Sequence, residues 1–325
     1  MKRPALLLLA LAAIYLVDDP YITSLFVVCA IYTLPAIGLS LLMGYTGQIS
    51  LGHAAFVGVG AYVSVLLGQA LDVGPWWGVA LATATSALAA WAVGWLVFRL
   101  RGHHLAMATL AFGLILHTVL VEWRSVTGGQ DGLGSIAPLT VFGVELMSDH
   151  QVYPLVWLAA LVALVLADNL VRSPVGLAMR TVGESEAVAG SIGIAAPRVK
   201  RAIMALSGAY AGLGGALYAH WLGYISPEPF NVGFSIKLLL IVALGGFIGI
   251  WNVLFGVFFV VVVSEWLKPL GQFDVVIYGL LLIFVMVYCR QGLVAGAAAA
   301  WRRLRFRRAL GASVPAPALN KEKSA

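Results

Sequence analysis

The chain has 325 residues, of which 61% are hydrophobic and 10% charged, and its mean hydropathy is +0.96. A soluble domain carries roughly 45–50% apolar and about 25% charged residues, so this composition excludes an ordinary soluble enzyme or binding module. The formal net charge of +6 is accounted for by cations lying against anionic lipid and calls for no nucleic acid, while Cys29 and Cys289, both inside apolar runs, exclude a disulfide framework or a cysteine-based metal site.

The expected fold class is all-α, a polytopic integral membrane protein. The start, MKRPALLLLALAAIYLVDDP, has the basic residues and apolar core of a secretory signal, but no convincing small-x-small cleavage site precedes Asp18, and a retained first span is the expectation. A bilayer core takes about 20 apolar residues per helix, fewer where a helix is buried in protein. Such runs lie near 4–17, 22–43, 51–69, 76–98, 104–121, 153–167, 202–222, 236–247, 251–267 and 273–289, giving about ten transmembrane helices. The stretch 236–267 reads as one long helix or as two, broken at Gly245, Gly246 and Gly249. Charge favours two. With the split, both termini are cytoplasmic and every Lys and Arg except Arg124, Lys237 and Lys268 falls inside; a single helix would put Arg290 and WRRLRFRRAL outside. Asp18, Asp19, Asp72, Glu122, Asp131, Glu145, Asp149, Glu228, Glu265 and Asp274 then fall on the outer side.

The first informative stretch is 44–62, GYTGQISLGHAAFVGVGAY, which places Gln48, Ser50 and His53 between two apolar runs. A broken helix exposes backbone groups that can meet a polar ligand, and Ser50 has the side chain to cap the helix that follows. The plainer alternative is a packing face of Gly52, Ala54, Ala55, Gly58, Gly60 and Ala61, common in membrane bundles, with His53 a satisfied packing residue. GYTG at 44–47 and GFIG at 246–249 both join apolar runs on the inner side, a faint echo of the kind structural duplication leaves.

The outer segment 122–152 is rich in turn formers and is expected to cap the outer mouth. The inner segment 168–201 is the main cytoplasmic feature before the tail. Between Pro174 and Pro197, the residues Ala178, Met179, Val182, Ala187, Val188, Ile192 and Ile194 can give a short helix an apolar face, with Glu184 and Glu186 near its polar side. Too polar to span and too apolar to stand in water, such a helix wants a partner surface; a solvated loop against headgroups is the alternative. Residues 1–301 thus form one transmembrane domain, and 302–325 a basic tail, with Leu304 and Phe306 between its cations, that ends in a segment expected to be disordered.

No GxxxxGK[ST] phosphate loop, HExxH, CxxC pair or GxSxG elbow is present. Catalytic, cofactor-binding and metal-binding residues are therefore all expected to be none. His53 and His117 lack a carboxylate at helical spacing, and acids cluster at span ends, unlike the buried carboxylates of a proton-coupled pump. A stand-alone channel or secondary transporter would need buried acids or an ion-filter loop, and an intramembrane enzyme a catalytic set.

Five stretches, GYTGQISLGHAAFVGVGAY at 44–62, RLRGHHLAMATLAFG at 99–113, TGGQDGL at 127–133, GESEAVAGSIGI at 183–194 and SGAYAGLGGALYA at 207–219, resemble in family order the permease subunits of bacterial ABC importers for branched-chain amino acids, the LivH/LivM type, and lie closer to LivM. The resemblance implies a multi-pass protein of the bacterial inner membrane, partnered by a second, LivH-like permease, two cytoplasmic ATPase subunits that bind the ATP, and a substrate-binding protein outside. It makes 183–194 the ATPase-coupling helix, with Glu184, Glu186, Ala187, Gly190, Gly193 and Ile194 in the coupling segment, although EAVAGSIG matches the general coupling consensus only loosely. Gln48, Ser50 and His53 become candidate substrate-pathway residues. Relatives of this type are associated with leucine-like and other amino acids and with small amides such as urea.

Overall fold

The structure is a computed structural model, which describes residues 19–71, 74–100, 102–245, 249–268 and 274–288. The expected first span at 4–17 and the basic tail lie outside the described residues. Twelve α-helices occur among them: α1 Pro20–Ser40, α2 His53–Ala70, α3 Pro75–Val97, α4 His103–Glu122, α5 Arg124–Thr127, α6 Asp149–Arg172, α7 Pro174–Glu184, α8 Glu186–Ser191, α9 Ala196–Leu222, α10 Val232–Gly245, α11 Asn252–Leu267 and α12 Asp274–Tyr288. Six are long and apolar enough to cross a bilayer, the first of them extended to Tyr45 by a π-turn, Leu41–Tyr45. The helices α10 to α12 are apolar but shorter. The run 236–267 is two helices, since α10 ends at Gly245 and α11 begins at Asn252.

Glycine and serine set the packing of the centre. A side chain at Gly60 would collide with the Gly212 backbone, and one at Gly215 with the Val57 carbonyl, so α2 and α9 touch backbone to backbone. On the other flank, Ser86 of α3 donates to the Phe56 carbonyl at 3.1 Å and lies against Gly208 and Gly212. Lipid tails are as apolar as leucine, so membrane helices gain from such close van der Waals approach rather than from expelling water. Around this trio α1 is buried along most of its length. Trp77, Trp91 and Trp95 of α3 and Met107, Leu114 and Ile115 of α4 are exposed large hydrophobics, the surface an apolar solvent requires.

The connections define two opposite faces. One carries the segment 123–148, which folds into α5, a 3-10 turn and a hairpin of β1 Thr140–Val141 with β2 Val144–Glu145. It is tied to the end of α9 by the Leu133–Ile225 bridge and by a 2.8 Å hydrogen bond between His220 Nδ1 and the Ala137 carbonyl. The other face carries α7 and α8, between the end of α6 and the start of α9. Because α1 reaches α7 at its Tyr45 end, its Pro20 end lies on the hairpin side.

Candidate functional site

At the break after α1, Thr46 Oγ1 donates to the Leu42 carbonyl at 2.6 Å, and the Gln48 amide to the same carbonyl at 3.1 Å. Gly47 adopts φ +68°, a left-handed turn open to glycine, and Gln48 Nε2 folds back onto the Thr46 carbonyl at 2.8 Å. The chain then climbs without helix to α2. Free amides at a helix start need partners, and here other helices supply them: Thr109 of α4 accepts from Leu51 N at 3.1 Å, and Ser235 of α10 from Ala54 N at 3.0 Å. His53 is fully buried, its Nε2 3.3 Å from Ser207 Oγ of α9. The start of α2 is thus a buried junction of four helices.

Two expectations are corrected. The helix begins at His53, not near Ser50, and Ser50 does not cap it: Gly52 is the cap residue, and Ser50 Oγ is buried without a hydrogen-bond partner. The physical reason is that Ser235 serves the Ala54 amide of the first turn and Thr109 the Leu51 amide just before the cap, while a side chain at Gly52 would strike the Thr109 carbonyl and hold α2 away from α4. Gln48 is half-buried beside these groups. Of the six small residues of the stretch, Gly52 packs on Thr109, Gly58 on Phe230 and Gly60 on Gly212, and Ala54, Ala55 and Ala61 are buried.

The second correction lies on the α7–α8 face. In place of one short helix the segment forms two, broken at Ser185, whose extended backbone (φ −160°, ψ 118°) and hydroxyl start α8 by accepting from Val188 N at 3.4 Å. The apolar residues divide accordingly. Met179, Val182 and Ala189 are buried, with Ile194 half-buried beside Val182 and Ala189, whereas Val188 and Ile192 point outward at 55% and 63% exposure. Glu184, Ala187 and Gly190 are exposed, and Gly193 reverses the chain with φ +83°. Glu186 forms an ion pair with Lys200 of α9, which is 5% exposed and also lies over the Phe98 ring. Beside it a cavity of about 370 Å³ is lined by Glu186, Ala187, Gly190, Ile194, Ala195 and Pro197.

The two regions touch. Gly183, near the end of α7, packs on the Tyr45 carbonyl so closely that a side chain there would approach it to 2.6 Å, and Arg180 lies over the Tyr45 ring at 5.4 Å. The Tyr45 hydroxyl in turn accepts from Gly249 N at 3.1 Å, at the break between α10 and α11. One tyrosine therefore joins α7 to both helix breaks. Neither Tyr45 nor Gly183 stood out in the sequence, nor did Ser207, Ser235 or Thr109; the GYTG and GFIG echo was the one available signal.

The family model described as "Branched-chain amino acid transport system / permease component" matches residues 21–288. The chain belongs to that permease family. The permease is 32% identical over 289 residues to the high-affinity branched-chain amino-acid transport system permease protein LivM of Salmonella typhimurium, covering 81% of this chain and 68% of the relative. It is 30% identical over 315 residues to LivM of Escherichia coli K12, covering 89% and 73%. Against LivH of Escherichia coli K12 it is 25% identical over 236 residues, covering 66% and 74%. No solved structure matches. The permease is accordingly a multi-pass membrane component and not an enzyme.

Proposed function

We propose that this permease forms half of the membrane pathway of an ABC importer for branched-chain or related amino acids in a bacterial cytoplasmic membrane. Its partners are a second, LivH-like permease, two cytoplasmic ATPase subunits and an outer substrate-binding protein, and the ATP is bound by the ATPases, the permease itself carrying no cofactor. The observation that supports this most is the α7–α8 pair: it presents Val188 and Ile192 to solvent, is pinned to α9 through Glu186–Lys200, and reaches the breaks through Gly183 and Tyr45. An apolar patch on a short, anchored helix suits docking in a partner's groove, and a rigid link to a break turns the partner's closure into movement of the pathway. Glu184, Ala187, Gly190, Gly193 and Ile194 are the surrounding contact candidates, while Gln48, Ser50 and His53 belong to the junction that would move.

The test uses the outward residues. Val188→Asp together with Ile192→Asp leaves the buried trio of Val182, Ala189 and Ala196 untouched, so insertion is retained. Co-purification of the ATPases and ATP-driven leucine uptake in vesicles are both expected to be lost. Undiminished uptake by this variant would remove α8 as the docking element.

A further inference from the structure

A cavity of about 460 Å³ opens among α1, α10, α11 and α12, within the roughly 300–1,000 Å³ range of small-molecule sites. It runs along α1 from Tyr21 to Tyr32, about 16 Å at 1.5 Å per residue. Three charged side chains line it: Lys237, and the ion-paired Glu265 and Lys268. Lys237 lies five residues inside the apolar helix α10, its Nζ 4.7 Å from the centre of the Tyr278 ring, and the Tyr278 hydroxyl donates to Ser264 at 2.6 Å. Glu265, on α11, holds Lys268 at 2.6 Å and faces Tyr21 at the start of α1. Leu25, Val28 and Val261 supply apolar lining, and Ser24 and Ser264 line the same cavity.

An ionised side chain inside a membrane helix is costly, and a leucine at position 237 would pack at no such cost. An ammonium carries three donors and can serve more than one partner, and a carboxylate accepts on two oxygens. A cavity lined by one sign of charge would gather ions of the other; both signs together with apolar side chains match a molecule that carries both charges and an aliphatic group. We propose that this cavity is a holding site for a zwitterionic aliphatic α-amino acid, with Lys237 receiving its carboxylate, Glu265 its ammonium, and Leu25, Val28 and Val261 its side chain. The inference rests on the amino-acid importer reading and adds a location on the permease itself, on the hairpin side.

The experiment uses the full complex in vesicles, with Ser24→Cys, which lines the cavity, introduced into a Cys29→Ala, Cys289→Ala background. L-leucine is expected to slow labelling by a water-soluble thiol reagent several-fold; 3-methylbutylamine, without the carboxylate, and 4-methylpentanoate, without the ammonium, are expected not to. Lys237→Met and Glu265→Gln should each raise the leucine concentration needed for protection roughly tenfold, as loss of one charge-assisted contact does. Equal protection by the half-molecules overturns the assignment, as does protection that follows the phosphatidylethanolamine content of the vesicles, which would make the occupant a lipid headgroup. ATP-driven leucine uptake without protection overturns this inference alone; absence of uptake in the unsubstituted complex overturns the functional reading and the inference with it.

Discussion

Glu186 illustrates how one residue can belong to a docking element and to the frame that holds it. Its partner Lys200 is buried, so removing the carboxylate strands an ammonium in a poorly solvated site, whereas removing both charges does not. The Glu186 end is 41% exposed, and the cost is correspondingly modest, about 1–3 kcal/mol. Glu186→Gln is expected to lower the thermal unfolding midpoint in detergent more than Glu186→Gln with Lys200→Met does; equal losses would show the pair contributes only packing. The same burial explains why Glu186 is a poor probe of docking and Ile192 a good one. At this scale the sequence was least legible. Ser50 read as a cap because serine caps helices; Thr109 and Ser235, which do the work, lie 58 and 181 residues from their amide partners, a distance no local pattern spans. Lys237 read as a flanking outer cation because its apolar run begins at 236; the helix begins at Val232 and draws it inside.

Elements were far more legible than contacts. The runs expected between 22 and 289 all correspond to helices, because about twenty consecutive apolar residues leave few alternatives in a bilayer. The split of 236–267 followed from charge and glycine together. What stayed hidden was the relation between elements: two breaks, each flanked by glycine, are tied by a phenol. Tyr45→Phe removes the acceptor for Gly249 N at a stability cost of about 0.5–1.5 kcal/mol. It is expected to leave assembly with the ATPases intact and to lower uptake per ATP hydrolysed. An unchanged ratio of uptake to hydrolysis would mean that the two breaks move independently. The single short helix expected between Pro174 and Pro197 became two because Ser185 both ends one and starts the next, a role compatible with either reading of the sequence.

For the whole molecule, we propose from the charge pattern that the α7–α8 face lies in the cytoplasm and the β1–β2 hairpin outside. Single cysteines at Ile192 and Glu145, in a cysteine-free background, should test this: an impermeant reagent applied to intact cells is expected to label Glu145→Cys and spare Ile192→Cys, and the reverse result would invert the topology. The tight glycine seams of α2, α3 and α9 bear on what can travel between those two surfaces. Helices meshed at their backbones cannot slide or twist past one another without steric overlap, so the trio turns as a solid body. A small tilt imparted at its α7–α8 end must reappear at its far tip, beside His220.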